Sequence, residues 1–161
     1  MKGTRCSDNC PSSNGRTMSF VSSASGRACL SDWDTPLSVR DLLSLLFDLK
    51  ETLALARGPL IVIIAIRETV PIPANYLLSC IRATLPAILA CCEELAVAVE
   101  GTSAEYSPLR ASFRSAPGRH ATTRLFDSLS AAFAHTQRLA PHDVLELQRH
   151  VLHHSLPPNG W

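Results

Sequence analysis

The sequence predicts an α/β fold: a small, mostly parallel sheet of four to five strands with an N-terminal hairpin, covered by helices. Three observations predict it. The run Leu60-Ile61-Val62-Ile63-Ile64-Ala65-Ile66 is β-branched and lacks polar alternation, as a strand buried on both faces requires. Strand-like and helix-like segments alternate after an initial pair of strands, which implies crossover connections and parallel pairing. The chain has 161 residues, enough for one substantial core and too few for two.

Residues 1–17 are rich in Ser, Gly, Asn and Thr and bury too little apolar surface to offset the entropy of ordering, so they are expected to form a disordered tail. Met18 is then a candidate start, residues 18–156 a single domain and residues 157–161 a loose end. Ser19 to Ser22 and Arg27 to Trp33 are the hairpin strands, joined at Ala24-Ser25-Gly26, where Gly26 can take positive φ. Ser38 followed by Asp41 forms a capping box. The helix it opens carries a core stripe of Val39, Leu42, Leu43, Leu46, Leu49 and Leu53 and ends at Gly58-Pro59.

Beyond the central strand, Pro73 suits a first helical position, and Tyr76, Leu77, Cys80, Ile81, Leu85, Ile88 and Leu89 continue a helix to about Cys92, with Pro86 as a kink. Glu94 to Glu100 reads as a strand with Leu95, Val97 and Val99 on one face and Ala96 and Ala98 on the other. Ser107-Pro108 opens a helix to Ser115, stopped by Pro117-Gly118, and Thr122 to Phe126 is the last strand. Ser128 caps a helix running to Leu139, and Pro141 begins another carrying Val144, Leu145, Val151 and Leu152.

Composition narrows the function classes. Apolar residues make up 46% and charged residues 18%, with a formal net charge of +1, so neither nucleic acid nor an anionic membrane is an expected partner. No apolar run approaches the roughly 20 residues of a membrane-spanning helix. The first residues lack the apolar stretch of a secretory signal, and three of the six cysteines lie in strongly apolar segments, so a reducing, cytoplasmic setting with free thiols is expected.

The element order resembles the STAS-like fold of small bacterial domains that include the anti-sigma factor antagonists. The matching text is Trp33 to Leu37 leading into the first helix, Val97-Ala98-Val99-Glu100-Gly101 before Leu109-Arg110, and Phe126-Asp127-Ser128-Leu129 before Ala131-Ala132-Phe133. The resemblance implies a non-enzymatic regulatory domain acting by protein contact, with a protein partner or a second copy of itself. Antagonists of that family carry a phosphorylatable serine in an Asp-Ser-x-Gly stretch after the central strand. Here that stretch is Arg67-Glu68-Thr69-Val70-Pro71-Ile72-Pro73, without serine or glycine, so the phosphoswitch is not carried over.

The alternative is a small ligand-binding protein or enzyme. Residues just past the C-terminal ends of parallel strands line the crevice where α/β sheets bind ligands, which singles out Arg67, Glu68 and Thr69, with Glu100 and Arg110 facing the same space. Surface ion pairing is the competing reading of those charges. His150, His153 and His154, with Glu146 a turn earlier, are the candidate metal ligands, but His-Glu-x-x-His is absent and a solvated polar face is the expected reading. Cys6 and Cys10 lack a second ligand pair, and nothing cationic or glycine-rich activates Cys91-Cys92. With no phosphate-binding glycine loop and no Gly-x-Ser-x-Gly elbow, no catalytic residue and no cofactor is assigned.

Overall fold

A computed structural model describes residues 18–34, 38–56, 58–68, 70, 74–114 and 122–155. Its five strands stand in the order β1 (Met18–Ser22), β2 (Ala28–Trp33), β3 (Ile61–Ile66), β4 (Glu94–Val99) and β5 (Thr122–Phe126). β1 and β2 are antiparallel, and every later pairing is parallel. The hairpin turns at Gly26, whose φ of 73° is a conformation that glycine adopts without a Cβ clash. The expected tail, the loose end, the helix-start signal Pro73 and the stop signal Pro117-Gly118 lie outside the described residues.

The period of two along each strand divides the core. Val62, Ile64, Ile66, Leu95, Val97 and Val99 point to one face, where α1 (Val39–Leu55), α2 (Asn75–Ala90) and α3 (Ser107–Arg114) cover them. Ile61, Ile63, Ala65, Ala96 and Ala98 point to the other, against α4 (Leu129–Thr136) and α5 (Pro141–Ser155). The alanines of β4 therefore face the α4 layer, where short side chains let a helix approach the sheet. All six residues of β3 are buried, as a strand between two helical layers must be.

Helix starts follow the local chemistry. Ser38 and Asp41 close their reciprocal box: the Ser38 amide donates to Asp41 Oδ2 at 2.8 Å and the Asp41 amide donates to Ser38 Oγ at 3.3 Å. The Ser128 hydroxyl accepts from the Ala131 amide at 3.1 Å. Ser107 does not cap: a 3-10 turn, Ala104–Tyr106, precedes it and makes it the first residue of α3. Pro86 sits inside α2.

The core phase of α1 differs from the expected stripe. Leu42, Leu45, Leu49 and Thr52 are buried, Leu46 is half-buried, and Val39, Leu43 and Leu53 are exposed at 40%, 61% and 39%. Nine of the seventeen residues of α1 are large and apolar, spread around most of its circumference, so spacing alone admits more than one buried side. Tyr76, Leu145 and Leu152 are likewise exposed, and α4 ends three residues before the exposed Leu139.

α5 is fastened to the hairpin by side chains. The Ser23 and Ser25 hydroxyls both donate to Asp143 Oδ1, the former at 2.8 Å, and the Ala24 amide donates to Glu146 Oε1 at 3.0 Å. Burial pushes the Asp143 carboxyl up, but the Ser25 and Ser23 hydrogen bonds and nearby Arg27 outweigh it and hold it below its ordinary value. A depressed carboxyl contributes stability above its unfolded-state pKa and loses it as pH falls through the folded one. Asp143→Asn is expected to destabilise the protein by about 1 kcal/mol at neutral pH. Denaturant titrations of both proteins across the acid range should show that gap closing below the ordinary carboxylate range, and a gap independent of pH would refute the linkage.

Candidate functional site

The parallel ladder continues one residue past β3 and β4: the Arg67 amide donates to Trp33 O at 2.9 Å and the Glu100 amide to Ile66 O at 3.0 Å. In that register Asp32 pairs with Ala65 and Ile66 with Val99, so Asp32, Arg67 and Glu100 all fall on the α4–α5 face at the C-terminal end of the sheet. Arg67 Nε and Nη2 donate to the two carboxylate oxygens of Asp32 at 2.9 and 3.0 Å, and Nη1 donates to Glu100 Oε1 at 3.1 Å. The three side chains are 22–28% exposed. The Asp32 hydrogen bond, against opposing burial and with help from the charges of Asp32 and Glu100, raises the Arg67 pKa further. The guanidinium is a fixed cation under two carboxylates, and the trio carries one net negative charge.

Two hollows flank the trio. One of about 410 Å³ lies between Arg67 and Glu100 and the apolar side chains Leu129, Phe133, Leu145 and Val151 of α4 and α5, with Gln148 and Arg149 at its wall. The other, about 370 Å³, is bounded by Asp32, Asp34, Arg67, His150 and Val151.

Of the residues singled out in the sequence, Arg67 and Glu100 meet. Glu68 does not join them: its side chain is exposed, and its carbonyl accepts from the Tyr106 hydroxyl at 2.8 Å. Thr69 lies outside the described residues. Arg110 does not reach the crevice; its Nη2 donates to Val99 O at 3.2 Å and to Gly101 O, satisfying carbonyls that the end of β4 leaves free. His150 borders the second hollow, His153 is exposed, and the side chain of His154 is outside the described set. Among the described residues no three His, Cys, Asp or Glu are placed to hold a metal ion.

Sequence reasoning missed Asp32. The available signal was period two: in β2 a carboxylate at position 32 faces the same side as Ala28 and Leu30, which calls for a buried partner cation. It also missed a second cluster at the opposite end of β4. There the 8%-exposed Glu94 forms an ion pair with Arg124, whose Nε lies 3.2 Å from Glu94 Oε1, and the same Oε1 lies 2.8 Å from His135 Nε2.

Three of the described thiols, Cys29, Cys91 and Cys92, are held in the form that is a poor nucleophile. Burial pushes Cys92 up to about 12, and it also raises Cys29 and Cys91, leaving all three protonated at neutral pH. Cys29, Cys80, Cys91 and Cys92 are free. Among the described residues no helix is long and apolar enough to cross a membrane. No family model, curated protein or solved structure matches this chain.

Proposed function

We propose that this chain is a non-enzymatic protein-interaction domain of regulatory, STAS-like type. One observation carries the interaction reading: Val39, Leu43 and Phe47, one turn apart on α1, expose 40%, 61% and 68% of their surface as a continuous apolar stripe. A stripe of large side chains rimmed by charge is characteristic of a surface that another protein covers. The STAS-like part rests on element order: a hairpin, then helices alternating with parallel strands. A cytoplasmic setting belongs to the same proposal, supported by the four free thiols.

The small-ligand reading is favoured by the hollow beside Arg67, whose volume of about 410 Å³ suits a metabolite. It ranks second because the two charged groups at the strand ends there, Arg67 and Glu100, are already paired with each other. Capture of proteins from the source organism by the immobilised wild-type chain and by Phe47→Glu tests the first reading. Phe47 is exposed, so the variant should fold normally and lose bound protein; equal capture by both would refute a role for this face.

A further inference from the structure

The charges beside the α1 stripe select an occupant, and this inference rests on the interaction reading above. Arg40 and Glu51 are both exposed, eleven residues apart in the sequence. At 3.6 residues per turn they fall on nearly the same flank of the helix, about 16 Å apart along its axis, with Leu43 and Phe47 between them. Arg40 marks the N-terminal half of that flank and Glu51 the C-terminal half.

When two identical helices pack antiparallel about a two-fold axis, each flank meets its own counterpart, and the N-terminal half of one meets the C-terminal half of the other. With the axis between Leu43 and Phe47, Leu43 of one copy packs on Phe47 of the other, and the same axis sets Arg40 opposite Glu51 twice. In a parallel two-fold pair each flank meets the opposite flank, so Arg40 and Glu51 would not meet across the contact. Lys50 lies on the other flank, where its aliphatic stem can lie over Val39 of the second copy with the ammonium in water. The stripe is thus apolar along its centre and self-complementary in charge along its edge.

We infer that the α1 stripe is covered by a second copy of this chain, in a two-fold antiparallel α1–α1 contact. One helix face buries less than the ~1,200 Å² of a standard stable interface, so the dimer should be weak and dissociate in the micromolar range. Weak, reversible pairing of this kind suits exchange between self-association and another partner.

Sedimentation velocity of the full chain from micromolar to near-millimolar concentration tests the inference. The wild-type chain should shift from monomer to dimer, and Phe47→Glu should remain monomeric with an unchanged circular dichroism spectrum. Arg40→Glu and Glu51→Arg should each weaken the dimer by about tenfold by replacing attraction with repulsion, and the double swap should restore it. A wild-type chain monomeric throughout, a dimer indifferent to Phe47→Glu, or a double swap that recovers nothing would each overturn it. The two readings remain separable: a monomeric wild type with Phe47-dependent capture of other proteins overturns self-association alone, whereas loss of both overturns the interaction reading as well.

Discussion

Gly101→Ala is expected to lower the unfolding free energy by about 2–4 kcal/mol. Gly101 follows β4 and is buried against the face of Tyr106, and a Cβ built on it would fall well inside the contact distance of three ring carbons. The ring has little room to retreat. Tyr106 is 8% exposed, and its hydroxyl donates to the carbonyls of Glu68 at 2.8 Å and Val70 at 3.2 Å, tying the loop after β3 to the loop after β4. Displacing the ring therefore strains the packing and releases two carbonyls from their donor. Tyr106→Phe removes only the hydroxyl and should cost about 1–2 kcal/mol. Urea titrations of both variants read these values. In a Tyr106→Leu background the alanine should cost much less, because the atoms it collides with are gone. A Gly101→Ala protein as stable as the wild type would show that the loops accommodate the methyl group by moving together.

The fold was legible where one physical demand dominated a segment. β3 could only be a doubly covered strand, since seven apolar residues in a row, Leu60 to Ile66, leave nothing for water. β4 disclosed both of its faces through size alone, valine and leucine on one and alanine on the other. Ser38 and Ser128 marked their helices because an unsatisfied first turn demands a side-chain acceptor. Legibility failed where the demand was distributed. On α1 apolar residues lie on both the sheet-facing and outward sides, and only the position of the sheet determines that Leu45 goes in and Leu43 stays out.

The candidate site divides in the same way. Arg67 and Glu100 were legible because each follows directly on a parallel strand, and strand ends converge. Asp32 was not, because its partner is 35 residues away and only the register of β2 on β3 brings them together. Arg110 shows the reverse error. Its place in the chain suggests the crevice, but α3 packs on the opposite face of the sheet from α4 and α5, and from there its guanidinium reaches the carbonyls at the end of β4.

Arg67→Met should destabilise the protein by about 2–3 kcal/mol, more than any loss of a surface ion pair would produce. The substitution keeps most of the side-chain volume and removes the cation that pairs with both Asp32 and Glu100, whose carboxylates remain about a quarter exposed. Two like charges then share a part-apolar cleft without a donor, and the loss comes mainly from their desolvation rather than from the attraction removed. That origin makes a second outcome predictable. Replacing all three residues together, as Asp32→Asn, Arg67→Met and Glu100→Gln, eliminates every uncompensated charge and should return stability to within about 1 kcal/mol of the wild type. Guanidinium chloride would mask the charges by its own ionic strength, so urea is the denaturant to use. A triple variant no more stable than Arg67→Met alone would place the stabilisation in the hydrogen-bond geometry itself. The trio would then act as a clamp joining β2, β3 and β4 at the mouth of the hollow.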